Sequence, residues 1–480
     1  MKNVFKFFAC IFLFSACEST LVEVPASNIS INDFYTNEND AIAGLYGSYD
    51  NIYNFYSGTA HNYGEMNADN ATISPIVSGG QATDDFTYNN DVTGDLWTVG
   101  YRGINRANEV IFFTENIDFD AGRKADLIAE AKAVRAIYYW NLVRLMGGVP
   151  LYETPTIGFD EINLPRATAE EIYTVIIRDL EAAVTELETT NEAGRINSDI
   201  AAALLARIYL YRGDYANALT HAQNLINSGR YGLFADYTDI FKSENDNGTE
   251  HIYQIQYLAG ERHNNIHGQY GPRAPSGPFG FSFWANTIVG GSYAPSVEFI
   301  ADAPASYRTS MTIANSYEHI DGTTGTITMQ DVYGGNFPYY VNKFDNDRST
   351  EFQTGTNYTV IRYADILLIA AECLNEVSPA SPNKYAYINL VRERARNGVA
   401  TDLPDLISLS QDDFRTAVLE ERRFELAFEG QRAWDLKRRN QFLSTLQAQG
   451  KTVESFQLLF PIPNVQVLIN PNLEQNPGWE

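Results

Sequence analysis

Cysteine is scarce in this chain of 480 residues: there are three, at positions 10, 17 and 373. The disulfide framework that holds many small secreted domains together is therefore excluded, and stability has to come from packing. Basic residues are outnumbered, 34 Lys and Arg against 60 Asp and Glu, for a formal net charge of −26. That balance argues against nucleic acid, whose phosphates call for Lys and Arg, and on average against strongly anionic polysaccharides. No apolar run reaches the ~20 residues that a membrane-spanning helix needs. Also missing are the GxSxG elbow, the P-loop, the dinucleotide-binding glycine motif and the HExxH zinc motif. Two carboxylates about 6.5–9.5 Å apart would suffice for an inverting glycosidase, and a sequence cannot show such a pair. A secreted helical glycoside hydrolase thus stays open as an alternative.

What is present begins at the N-terminus. Lys2 and Lys6 precede an apolar run from Phe7 to Phe14, the pattern of an export signal. Ser15 and Ala16 stand directly before Cys17, which resembles the bacterial lipobox, where the cysteine is lipidated and becomes the new N-terminus. Residues 1–16 then form the signal peptide, 17–35 a lipidated polar tether, and 36–480 the folded body. Once Cys10 is removed and Cys17 acylated, Cys373 is the remaining thiol; it lies in an apolar helical run, where a buried inert cysteine is expected.

Helical periodicity dominates the body. Ile42, Leu45, Tyr46, Tyr49, Ile52 and Tyr53 recur at three- and four-residue steps, as do Trp97, Tyr101, Ile104, Ala107, Asn108 and Ile111. A longer helix runs from Asp120 through Leu145 and stops at Gly147, Gly148 and Pro150; Thr168 with Glu171 forms a capping box for the next. From Ala201 to Ile226 the chain reads as two amphipathic helices broken at Gly213 and Asp214. Ala202, Ala206, Ala218 and Ala222 permit close approach, and Leu205, Tyr209 and Tyr215 fill the remaining space, as in a tetratricopeptide unit. Such a unit needs neighbours, and the preceding helices and the pair at 361–397 are the candidates. Residues 57–94 read as a long Gly-, Asn- and Asp-rich loop, and periodicity fades between about 232 and 358. A last helical block spans Arg362 to Arg439.

Three segments resemble the SusD/RagB lipoproteins: RYADILLIAAECLNE (Arg362 to Glu376), LEERRFELAFEGQRAWDLKRR (Leu419 to Arg439) and FPIPNVQVLINPNLEQNPGW (Phe460 to Trp479). WTVGYRGINRAN, EAKAVRAIYYWNLVRLMGGVPL and the Lys343–Phe344 pair add to the likeness; Gln466 stands where the family commonly has Glu. The resemblance implies a mainly α fold, a tetratricopeptide-like right-handed superhelix at about 36–231 and 359–480, with a loop-rich, ligand-facing insertion at about 232–358. It further implies non-catalytic capture of oligo- or polysaccharide at the cell surface by a protein lipid-anchored in the outer membrane. The implied partner is a SusC-like TonB-dependent transporter, and no cofactor is called for. A peptide-binding protein of the same fold is an alternative within the family.

Sugar recognition needs aromatic faces for the apolar side of a pyranose and amides or carboxylates for its hydroxyls. GEMNADN (Gly64 to Asn70) offers Asn67, Asp69 and Asn70. FGFSFWANTIVGGSY (Phe279 to Tyr293) offers Phe283, Trp284, Asn286 and Tyr293, with Trp284 the expected stacking residue; Tyr270, Tyr339 and Tyr340 are further candidates. Glu421, Arg422, Glu425, Glu429, Arg432 and Asp435 alternate in sign at helical spacings, the pattern of an ion-pair network that clamps helices. His263 and His267 have the i,i+4 spacing of metal ligands, but the Gly, Asn and Pro272 around them argue against a helix there. SENDNGTE (Ser243 to Glu250) lacks the EF-hand spacing and reads as a solvated turn.

Overall fold

Helix boundaries follow local chemistry. In the computed structural model, which describes residues 31–56, 60–73, 84–156, 162–270, 293–318, 326–329, 338–344, 354–399 and 401–480, α1 (Glu38–Tyr56) and the short α2 (Ala60–Glu65) lead into strand β1 (Ala71–Ile73). Then come α3 (Gly94–Thr114), α4 (Ala121–Met146), α5 (Ala169–Glu186), α6 (Ser198–Arg212) and α7 (Tyr215–Ser228). The Asp120 side chain accepts from Arg123 N to start α4, and Gly147, at φ 72°, ends it. Thr168 and Glu171 form the reciprocal capping box of α5. Such a cap adds about 1 kcal/mol. Gly213, in the left-handed region at φ 77°, closes α6, and Asp214 caps α7 through Asn217 N.

The helices stack in order. α1 packs on α3, α3 on α4, α4 on α5, α5 on α6 and α6 on α7. The next neighbour of α7 is α10 (Tyr363–Val377), which lies far along the chain and in turn contacts α11 (Asn383–Arg396) and α12 (Gln411–Glu425). The molecule is thus a mainly α, tetratricopeptide-like array in which each helix buries its face on the next. Ala206, Ala218, Ala222 and Leu205 are fully buried at the α6–α7 seam, and Cys373 lies free in the interior of α10. No described helix is long and apolar enough to cross a membrane.

Short elements occupy the chain between α7 and α10. Strand β2 (His251–Ile255) pairs antiparallel with β4 (Tyr358–Arg362), His251 opposite Arg362, and β4 runs directly into α10. Between them lie the one-turn α8 (Ile266–Tyr270), strand β3 (Tyr293–Pro295) and α9 (Tyr307–Thr312). After α12 the chain forms α13 (Arg432–Arg438) and, near its end, α14 (Asn464–Ile469).

Three expectations are corrected. The stretch 57–94 is not simply a loop, since it holds α2 and β1. The buried side of α1 runs through Ala41, Leu45, Ser48, Ile52 and Phe55, while Tyr46 is 45% exposed and donates its hydroxyl to Glu192. Ser48 is tolerated in the interior because its hydroxyl donates to Leu45 O at 2.7 Å, and its carbonyl accepts the Tyr138 hydroxyl at 2.7 Å. The segment Ser243 to Glu250 is not wholly solvated either: Glu250 is buried and bonded to Arg362 and Arg394.

Candidate functional site

The strand that follows GEMNADN pairs with the strand that begins at Tyr293, the last residue of the second segment singled out for sugar contact. β1 pairs antiparallel with β3, Ala71 opposite Pro295 and Ile73 opposite Tyr293. Ile73 is where residues 74–83 depart, and Tyr293 is where 271–292 return. Tyr270, the last residue of α8 and the other root of 271–292, has its ring 5.6 Å from that of Tyr293. Two stretches some two hundred residues apart in sequence therefore spring from a common root.

This root is held by charge. Asp69, 2% exposed, receives Arg432 through both oxygens at 2.7 and 2.8 Å, with Arg423 also beside it. Asn70 accepts from Arg423 Nε at 3.0 Å and donates to Glu65 Oε1 at 2.9 Å. Glu65 also accepts the backbone N–H of Phe428 and of Gly430. Burial pushes the Glu65 carboxyl up to about 7, while these donors and nearby Lys343 pull it the other way. The intervening Glu429 bonds to Arg362 and Lys343. The turn Phe428–Gly430, with Phe428 at φ 64° and Gly430 at φ 74°, is clamped from both sides.

Asp69 and Asn70 are corrected from ligand contacts to scaffold, because their polar atoms face guanidinium and amide groups inside the protein. Asn67 differs. It is 1% exposed, and neither its amide oxygen nor its amide nitrogen has a hydrogen-bond partner among the described residues. Most buried polar groups are paired, so an unengaged amide at the root of the loops stands out. Tyr270 is fully buried, packed on Phe344 and Phe428, and so is a support for the loop root and not an open stacking face. Tyr293 is half-buried, and burial raises its hydroxyl to about 12. Tyr340 is buried with its hydroxyl on Asn342, and Tyr339 is half-buried. Phe283, Trp284, Asn286 and Cys17 lie outside the described residues.

The alternating charges of the second family segment form the expected network, with unexpected partners. Glu421, Arg422, Glu425, Glu429, Arg432 and Asp435 are all buried. Only Arg422 with Asp435 pairs within the set, at 2.9 Å; the others reach across the fold, Glu425 to Arg308, Arg362 and Arg394, and Arg432 to Asp69. Glu65, Arg308, Arg394 and Arg423 were not singled out from the sequence. A burial-compatible carboxylate in the GEMNADN segment was the one local sign of Glu65. Among the described residues no group of three His, Cys, Asp or Glu side chains could hold a metal ion.

A family described as the SusD family matches residues 308–479, and one described as starch-binding associating with outer membrane matches residues 25–210. The chain is similar to SusD-like protein P2 of Formosa agariphila, at 30% identity covering 96% of each chain. It is also similar to a solved SusD superfamily protein from Parabacteroides distasonis, at 25% identity and TM-score 0.79, covering 92% of this chain and 99% of that one. A laminarin-binding SusD-like protein of known structure aligns at 27% identity and TM-score 0.75, over 92% of this chain and 100% of the other.

Proposed function

This chain belongs to the SusD family, and from that premise we propose that it is a non-catalytic glycan-binding protein associated with the outer membrane, taking a neutral glucan at the loops rooted on β1 and β3. The observation that supports the reading is the pairing of Ile73 with Tyr293, which sets the strand following GEMNADN beside the last residue of the Phe279 to Tyr293 segment. Aromatic faces and amides are what a pyranose requires, and the segment that ends at β3 carries Phe283, Trp284 and Asn286 in its sequence. The laminarin-binding relative supports an uncharged glucan, as does the formal charge of −26, which disfavours uronate or sulfated chains.

The finer parts of the proposal concern place and partner. Cys17 carries the lipid, residues 18–35 form the tether, and the protein delivers its glycan to a SusC-like TonB-dependent transporter. Copurification of such a barrel with the lipidated chain, lost when Cys17→Ser releases the chain from membranes, is the expected result; a Cys17→Ser chain that stays in the outer-membrane fraction would remove the anchor from the proposal.

For the binding itself, residues 18–480 are titrated by calorimetry with laminarin oligosaccharides, acidic oligosaccharides and peptide pools. Saturable heat with the neutral glucan, no reducing-end product, and about five- to thirtyfold weaker binding for Trp284→Ala are expected, since stacking on one aromatic ring contributes roughly 1–2 kcal/mol. Binding to peptides alone would overturn the ligand class, and turnover of the glucan would overturn the non-catalytic reading.

A further inference from the structure

We propose that a second pocket, sharing no residue with the loop roots, binds a single neutral pyranose unit. It lies between α3, the segment that follows α4, and α14, and has a volume of about 280 Å³. That is just below the range for small-molecule sites, roughly 300–1,000 Å³, and suits one ring better than a chain.

Its walls are aromatic and fixed. The rings of Trp97 and Tyr101 lie 4.7 Å apart, and Tyr152 meets Tyr101 edge-on at 5.8 Å. Tyr101 donates its hydroxyl to Pro150 O and Tyr152 donates to Ile162 O, each at 2.7 Å. Both rings are thereby held in place before any ligand arrives, which lowers the entropic cost of binding.

The amides divide into two kinds. Asn105 accepts from Thr156 N and donates to Glu109, and Asn470 donates to Leu164 O and accepts from Asn472 N. These two hold the pocket's shape. Asn163 and Gln466 also line it, and their side chains have no hydrogen-bond partner among the described residues. Each therefore offers a donor and an acceptor to a ligand hydroxyl.

No charged side chain is among the described residues that line the pocket. Against these residues a carboxylate, phosphate or ammonium would find no counter-charge, and the amides cannot offset its desolvation. A neutral ring with one C–H face and equatorial hydroxyls satisfies the rings and the amides together. The inference takes its ligand class from the glycan reading above and its site from these contacts alone.

The test labels the 18–480 chain with 5-fluorotryptophan and follows its ¹⁹F resonances during titration with laminarihexaose and methyl β-glucoside. The chain has five tryptophans, so Trp97 and Trp284 report the two sites separately once assigned with Trp97→Phe and Trp284→Phe. A saturable shift of the Trp97 resonance is expected, with Kd raised about fivefold by Asn163→Ala and about fivefold by Gln466→Ala, one hydrogen bond each. Both substitutions are at partly exposed positions and leave the core intact. Movement of Trp97 without Trp284 would sustain the pocket and sink the loop site. A fixed Trp97 while Trp284 shifts, or a Trp97 shift indifferent to both amide substitutions, overturns the pocket. So does a shift produced by a phenylalanine dipeptide and not by the saccharides, which would make the pocket a seat for a protein side chain.

Discussion

Arg362→Met should lower the stability of the protein by about 3–5 kcal/mol. Arg362 is 1% exposed and its guanidinium bonds to Glu250, Glu425 and both oxygens of Glu429. Methionine replaces most of its length, so little of the loss comes from an empty space. The cost lies in the carboxylates left facing one another in the interior. Arg212→Ala supplies the contrast: its pair with Glu170 is largely solvated, and its loss should cost less than 1 kcal/mol. Urea midpoints of the two variants read the difference, and equal small shifts would mean that the buried network is not what holds these segments. The same groups set the acid limb of stability. Burial alone would raise the carboxyls of Glu425 and Asp365, but the adjacent arginines hold both well below the usual carboxylate range. A depressed folded pKa means stability that is present above the unfolded value and lost as pH falls toward the folded one, so the wild-type protein should weaken below about pH 4.5, and Arg362→Met should flatten that limb. Because Glu429 sits in the turn that also binds Glu65, the variant should loosen the loop root and weaken glucan binding as well.

How much of this was legible in the sequence depended on the range over which the signal acts. Thr168 with Glu171, Gly147 and Gly213 were readable because a cap is a contact between residues three or four apart. The small-residue seam of α6 and α7 was readable for the same reason. The charged face of α12 announced that ion pairs existed, because alternating sign at helical spacing is local. It could not announce the partners: Arg362 and Glu250 are 112 residues apart, and Arg432 and Asp69 are 363 apart. GEMNADN carries the composition of a turn, and composition says nothing about whether an aspartate faces water or an arginine. Hence Asp69 and Asn70 read as ligand contacts and proved to be scaffold, while Asn67 kept its amide unengaged. The second pocket escaped for the same reason, since Trp97 and Gln466 come from opposite ends of the chain. Its one local sign was Asn105, a polar residue directly beside the Trp97–Tyr101–Ile104 stripe.

Gly64→Ala is expected to destabilise the protein by about 3 kcal/mol, near the upper end of what overpacking usually costs. A Cβ built at Gly64 would stand 1.9 Å from the Gly430 carbonyl oxygen and 2.8 Å from Trp434 Nε1. The first of these neighbours is backbone, in the turn clamped between Glu65 and Arg362, so it cannot swing aside as a flexible side chain would. α2 would have to lift away from the turn, and Glu65 would lose its bonds to Phe428 N and Gly430 N. Gly47→Ala separates this from the general effect of removing a glycine from a helix. Gly47 lies in α1 with nothing within 4 Å of its built Cβ, so alanine there should stabilise by about 0.5–1 kcal/mol. Thermal unfolding of both variants gives the comparison, and two shifts in the same upward direction would show that the Gly64 contact yields freely. A downward shift for Gly64→Ala, joined to weaker glucan binding by the fraction that remains folded, would mean that the glycine acts on the ligand through the position of the loop root. Its place in the GEMNADN segment would then reflect the close approach of two backbones, those of α2 and of the Phe428–Gly430 turn.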